Sequence, residues 1–383
     1  MEHLVTLAIE AFTTSDTVNP AGVDEFLNGR SMPLVEGDRL TFVWRGEAKA
    51  VQLMHWIFSL PSEVPLERIE NTDLWYTVVT QLPRASRVEY KFLVETDAGR
   101  QLLRDPLNPQ LAHDPFGANS VATSAGYEDP EWSDPDPAAK KGKLERTKLH
   151  SEAYGDDRQI TVYLPAAHRE FGRYPLLVAH DGSDYVRFSQ LKVVLDNLIH
   201  RLEIPPIVVA MTDPKDRLVE YAGDPRQAIH IAEELLPALE RRYPIVQRPD
   251  ARALMGASFG AVAALSTACR RPGLFGKLLL QSGSFAFTDI GPSNRGEVFA
   301  PVVDFINDFR REPVRCSEQV FVSCGVFESL IYENRSLVPV LQSTGMSVRY
   351  VESHDGHNWE NWRDRLREGL SWLFPGPLWL VYD

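Results

Sequence analysis

The chain has 383 residues, 44% hydrophobic and 24% charged, the composition of a folded globular protein. Its 40 basic and 53 acidic residues leave a net charge of −13, which excludes nucleic-acid binding through a global basic field. No apolar run approaches the roughly 20 residues of a membrane span, so neither a nucleic-acid nor a membrane partner is expected.

The N-terminal stretch carries Glu10 within its first apolar segment and has no positively charged lead, so it does not read as a secretory signal. With three cysteines (Cys269, Cys316, Cys324) at no metal-ligand spacing, the expected location is the reducing cytoplasm. At about 100–200 residues per domain, the length predicts two domains. Residues 1–37 read as a prelude, with a short helix near Val5–Phe12 and then a loop. Residues 38–137 read as an all-β domain with its exit. Leu40, Phe42 and Trp44, and again Val88, Tyr90 and Phe92, alternate with outward positions, the period of a half-buried antiparallel strand. Val51–Phe58 and Leu74–Val79 add strands, and the set predicts a β-sandwich. Six prolines between residues 105 and 137, followed by the charged stretch Ala138–Lys148, read as an extended interdomain connection.

Residues 138–383 follow a different grammar. Apolar β-branched runs (Ile160–Leu164, Pro175–Ala179, Pro206–Met211, Ala251–Ala257, Lys277–Leu280, Val320–Ser323, Val348–Val351) alternate with helical patterns, including Pro225–Tyr243 and Phe259–Arg270. That alternation predicts a mainly parallel sheet covered on both faces, an α/β domain.

Where Ala251–Ala257 ends and an Ala-rich helix begins stands Gly256-Ala257-Ser258-Phe259-Gly260. Gly-x-Ser-x-Gly at a strand-to-helix turn is the pattern of a nucleophile elbow, in which small neighbours let the chain turn sharply and expose the serine Oγ. A serine hydroxyl needs a base. His357, after Gly356 at a loop-to-helix junction, is the candidate, and His354, nearer the strand end, reads as a structural hydrogen-bonding residue. For the acid that would orient this base, Glu328 follows Gln319–Ser323 most closely, with Glu333 and Asp355 as alternatives. An oxyanion hole would take one amide from Phe259 and one from the loop His180-Asp181-Gly182-Ser183, where Gly182 and Ser183 are not distinguished. Arg217 has Glu220 as a salt-bridge partner within reach, and Tyr185 is a candidate for the pocket mouth. Trp359 and Trp362 share a helical face, with Trp362 expected in the core. No metal or organic cofactor is required by this chemistry.

Residues 145–374 resemble the enterochelin (ferric enterobactin) esterase family of the esterase D-like α/β-hydrolases. The resemblance is carried by Asp181-Gly182, Arg217-x-x-Glu220-Tyr221, Ala232–Pro237, Gly256–Gly260, Gln281-Ser282-Gly283-Ser284 and Gly356-His357-Asn358-Trp359. Residues 38–123, with the exit Asp105-Pro106-Leu107-Asn108-Pro109, are similar to the immunoglobulin-like domain that precedes these esterases. The resemblance implies an α/β-hydrolase behind an immunoglobulin-like sandwich, with Ser258 as nucleophile, His357 as base and an acid at or near Glu328. It also implies a small-molecule ester substrate, a ferric siderophore lactone or a related aryl ester, met by Arg217 and Trp359. Two other readings are an acyl (feruloyl or acetyl) esterase acting on sugar esters and a catalytically silent binding protein of the same fold.

Overall fold

The computed structural model describes residues 6–288 and 296–376. The chain divides into two compact units. The first is Met1–Glu128 together with Val326–Glu328 and His354–Gly356; the second is the remainder of Asp129–Asp383.

In the first unit, β1 (Leu34–Glu36), β2 (Arg39–Arg45), β6 (Leu74–Val79) and β5 (Glu67–Arg68) form one antiparallel sheet in the order β1-β2-β6-β5. The other runs β4-β3-β7-β10-β9, from β3 (Ala50–His55), β4 (Glu63–Pro65), β7 (Arg87–Thr96), β9 (Leu111–Asp114) and β10 (Gly117–Thr123), with β8 (Gly99–Leu103) pairing β7. Residues alternate in and out along β7, and Leu40, Phe42, Leu53, Tyr90 and Phe92 meet in one core. The exit motif has a structural reason. Tyr90 is fully buried and donates its hydroxyl to Asp105 Oδ2 at 2.6 Å, while Asn108 Nδ2 donates to the same hydroxyl at 3.0 Å.

Two sequence expectations change here. The segment after Phe12 is not all loop, because α1 (Ala8–Thr13) is followed by α2 (Pro20–Leu27). Asn19 caps α2 by accepting the Gly22 amide at 3.1 Å, and Pro20 suits the first helical turn. Val5 lies outside the described residues. Nor is the Pro-rich stretch an extended connection throughout. Pro115 sits in the tight turn joining β9 to β10, where Asp114 Oδ1 accepts the Phe116 amide at 2.7 Å, so residues 111–123 complete a sheet. Further on, Trp132 is 5% exposed in the core of the second unit, with its carbonyl held by Asn197 at 2.8 Å.

The second unit is built on an eight-stranded sheet in the order β11-β12-β14-β13-β15-β16-β17-β18. β11 (Lys143–Ser151), β12 (Asp156–Leu164) and β14 (Val208–Thr212) pair antiparallel; β13 (Leu176–His180), β15 (Arg252–Ala257), β16 (Lys277–Gln281), β17 (Gln319–Gly325) and β18 (Ser347–Ser353) continue parallel from β14. Part of the charged stretch expected as connection is β11, whose exposed Lys143, Arg146 and Lys148 protect a sheet edge from further pairing. β13 to β16 are buried on both faces, under α3 (Gly182–Phe188), α4 (Leu191–His200), α5 (Arg217–Glu220), α6 (Pro225–Ile229), α7 (Leu236–Arg242), α8 (Phe259–Arg270), α9 (Ala300–Arg311), α10 (Ile331–Ser343) and α11 (Trp359–Leu373). Among the described residues no helix is long and apolar enough to cross a membrane.

Candidate active site

Ser258 stands between β15 and α8 with φ 58° and ψ −122°, a conformation L-residues adopt only when the surroundings enforce it. Its amide donates to the Gln281 carbonyl at 2.9 Å, and its carbonyl accepts the Ser284 amide at 3.2 Å. The turn is so tight that a Cβ on Gly256 would lie 2.2 Å from the Gly260 carbonyl oxygen, which is why only glycine fits there. The Ser258 Oγ lies 3.1 Å from the Ser284 Oγ. Phe259 opens α8, so its amide is among those left without an intrahelical acceptor.

The loop after β13 forms the facing wall. Asp181 is left-handed at φ 53° and leads into Gly182, the first residue of α3. A Cβ on Gly182 would sit 2.2 Å from Met211 Cβ, so the glycine is required by packing on β14. Ser183 donates its amide to Asp213 Oδ1 at 3.0 Å and its hydroxyl to Asp213 Oδ2. His180 is fully buried, with Nδ1 2.9 Å from the Met255 carbonyl; that nitrogen carries the proton, and burial pushes the imidazole pKa down.

Arg217 meets Asp181, not Glu220. Its Nε donates to both Asp181 oxygens at 3.0 Å, and its Nη2 to Asp181 Oδ2 at 2.8 Å and to the Ala257 carbonyl at 3.2 Å. Glu220 is taken by Arg158 at 2.7 Å. The Arg217 fork is thus engaged on a buried carboxylate, and the pairing with Glu220 expected from the sequence is not formed.

Tyr185 is not at a pocket mouth. It is fully buried, donates to Gln281 Oε1 at 2.7 Å and stands edge-on to Trp359, with ring centroids 5.2 Å apart. Trp359 packs in turn on Phe188 and Trp362, and its carbonyl accepts from Ser189 at 2.7 Å. His357 is exposed and lies edge-on to Trp362, centroids 5.1 Å apart. Trp362 Nε1 donates to Ser282 Oγ at 2.9 Å, two residues from the Ser284 that meets Ser258.

His354, Asp355 and Glu328 belong to the first unit. His354 Nδ1 lies 2.9 Å from the Arg84 carbonyl, a structural contact. Asp355 faces the buried Arg87 at 3.5 Å and accepts the Gly356 amide at 2.7 Å. Glu328 is 2% exposed in the segment after β17, and Glu333 is buried in the first turn of α10. Among the described residues no group of three His, Cys, Asp or Glu side chains could hold a metal ion.

The sequence model of the Esterase family matches residues 151–294. Protein YjcH of Bacillus subtilis is 32% identical over 152 residues, 38% of this chain and 63% of YjcH, so this chain spans somewhat under two thirds of that relative. The iron(III) enterobactin esterase of Escherichia coli (strain K12) is 26% identical over 331 residues, 80% of each chain. The same fold occurs in the crystal structure of the Shigella flexneri enterobactin esterase, at TM-score 0.71 and 22% identity over 94% of this chain and 99% of that one. The chain is thus similar to enterobactin esterases over most of its length, and it shares their fold.

Within this site, sequence reasoning gave no role to Ser284, Asp213 or Gln281. A signal was available for two of them, since Gln281-Ser282-Gly283-Ser284 begins at the last residue of β16, the strand beside β15. Asp213 carried none, because its partner Ser183 is 30 residues away.

Proposed function

We propose that this protein is a serine carboxylester hydrolase acting through an acyl-enzyme on the ester bonds of an enterobactin-like siderophore. The observation that carries the reading is the strained Ser258 at the head of α8, its backbone held by Gln281 and Ser284. Ser258 Oγ adds to the ester carbonyl as His357 takes its proton. The tetrahedral oxyanion accepts the amides of Phe259 and Gly182; Gly182 is preferred to Ser183 because the Ser183 amide is given to Asp213. Collapse breaks the ester C–O bond, and His357 returns the proton to the leaving alcohol. Water, deprotonated by His357, then cleaves the acyl-enzyme and releases the acid. Glu328 is assigned to orient His357 and stabilise its imidazolium, since Asp355 is engaged by Arg87.

The siderophore assignment is supported by the 26% identity over 80% of the E. coli iron(III) enterobactin esterase. The Shigella flexneri enzyme was crystallised in the presence of 2,3-dihydroxy-N-benzoyl-glycine, a catechol amide. The paired sheets of the first unit support an immunoglobulin-like domain, and three cysteines without a disulfide, Cys269, Cys316 and Cys324, are compatible with a cytoplasmic location.

The decisive experiment compares hydrolysis of the cyclic trilactone of 2,3-dihydroxybenzoylserine, with and without iron, a feruloyl sugar and p-nitrophenyl butyrate. The trilactone is expected to have the highest kcat/KM. Ser258→Ala is expected to lose about 10⁴–10⁶ in kcat and all labelling by a fluorophosphonate. Preference for the feruloyl sugar would replace the substrate class; a Ser258→Ala variant retaining a tenth of the activity would remove the mechanism.

A further inference from the structure

We propose that Asp181 and Arg217 form a positioning pair that holds together the two turns presenting the oxyanion amides, and that Arg217 acts through these turns without contacting substrate. The inference rests on the serine-hydrolase reading above. One turn contains Asp181 and Gly182, the other Ala257, Ser258 and Phe259. They lie at the ends of neighbouring parallel strands, with Ala179 opposite Met255 in the register.

One guanidinium touches both turns. It binds the Asp181 carboxylate through Nε and Nη2 and reaches the carbonyl of Ala257, the residue before the nucleophile. The carboxylate is only 3% exposed and lies close under α8, with Oδ2 3.1 Å from where a Cβ on Gly260 would stand. The segment carrying Arg217 holds Asp181 a second way, because the Tyr221 hydroxyl accepts the Asp181 amide at 3.3 Å. The left-handed backbone of Asp181 is thus fixed from both its amide and its side chain.

Electrostatics point the same way. An unpaired carboxylate buried beside the oxyanion would oppose the charge that develops there, and Arg217 neutralises it. Since that positive charge is already matched, little remains to attract a substrate anion. The planar fork also suits arginine to this position, since Nε and Nη2 make these contacts from two separate nitrogens where a lysine has one.

The test is steady-state kinetics of Arg217→Ala, Arg217→Lys, Asp181→Asn and the double variant Asp181→Asn/Arg217→Ala, on p-nitrophenyl butyrate and the anionic mono-p-nitrophenyl succinate. Displaced oxyanion donors predict kcat losses of about 10- to 100-fold for Arg217→Ala on both esters alike, with KM within about two-fold. Because the Arg217 side chain is 35% exposed, added guanidinium at tens of millimolar should restore part of that kcat and leave the wild type unchanged. The double variant should be less impaired than Arg217→Ala, because its buried carboxylate is gone. Loss confined to the anionic ester and seen in KM would overturn the proposal in favour of an anion subsite. Equal losses that track a falling Tm, with no rescue by guanidinium and none in the double variant, would reduce the pair to a structural role. Arg217→Lys and Asp181→Asn carry the same comparison if Arg217→Ala does not fold. Fluorophosphonate labelling of wild type and Ser258→Ala, run alongside, shows separately whether Ser258 is the nucleophile.

Discussion

The hydroxyl oxygens of Ser258 and Ser284 lie 3.1 Å apart, and the Ser284 amide also donates to the Ser258 carbonyl. Ser258 is therefore held through both its backbone and its side chain by the turn after β16. Ser284→Ala removes only the side-chain contact, a hydrogen bond contributing about 0.5–1.5 kcal/mol. The expected result is a kcat loss of about 2- to 12-fold with KM unchanged, read on p-nitrophenyl butyrate. An unchanged kcat would show that the backbone contacts suffice to orient the nucleophile.

The two histidines should separate cleanly. His357→Ala should cost on the order of 10⁴–10⁶ in kcat, comparable to loss of the nucleophile. His354→Ala loses its contact with the Arg84 carbonyl, so it should lower stability by about 0.5–1.5 kcal/mol and leave kcat within a few-fold. Glu328→Gln should lower kcat on the order of 10²–10⁴ with an unchanged circular dichroism spectrum. If Asp355→Asn or Glu333→Gln is the more damaging change, the acid is reassigned.

Tyr185→Phe distinguishes support from substrate contact. The change leaves Gln281 Oε1 buried without its donor, which costs about 1–3 kcal/mol. Calorimetry should find Tm lower by about 2–8 °C, with kcat/KM within about two-fold. A raised KM at unchanged Tm would instead put Tyr185 against the substrate.

Asp184 gives a pH-dependent prediction. Burial first, and then Asp181 and Asp213, raise its carboxyl pKa above the ordinary value. A raised folded-state pKa means that the fold favours the protonated acid. That advantage is fully present below the unfolded-state value and is lost as pH rises through the folded-state value. At neutral pH the ionised group is therefore unfavourable. Asp184→Asn should raise Tm by about 1–3 °C at pH 7, and the gain should vanish near pH 4. A gain equal at both pH values would mean that charge is not its cause.

The sequence by itself determined whatever depends on neighbours along the chain. Val88, Tyr90 and Phe92 alternate in one strand, so the burial of β7 was legible in advance. Gly256 and Gly260 flank Ser258 at a strand-to-helix junction, so the sharp turn there was too, because its steric demand falls on adjacent residues. Local reading failed where partners are distant. Arg217 stands three residues from Glu220, but the structure gives Arg217 to Asp181, 36 residues away, and Glu220 to Arg158, 62 residues away. Tyr185 looked like a mouth residue because its loop leads toward the site, yet its ring turns under to Gln281, 96 residues on. The physical reason is strand order. β13 lies between β14 and β15, with His180 opposite Thr212 and Ala179 opposite Met255, so the loops leaving these three strands converge at one end of the sheet. Which strands become neighbours is set by the collective burial of their faces under the surrounding helices. A window of sequence shows that each strand is apolar, but not which other strand it will lie against, and that choice decided the partners of Asp181, Arg217 and Tyr185.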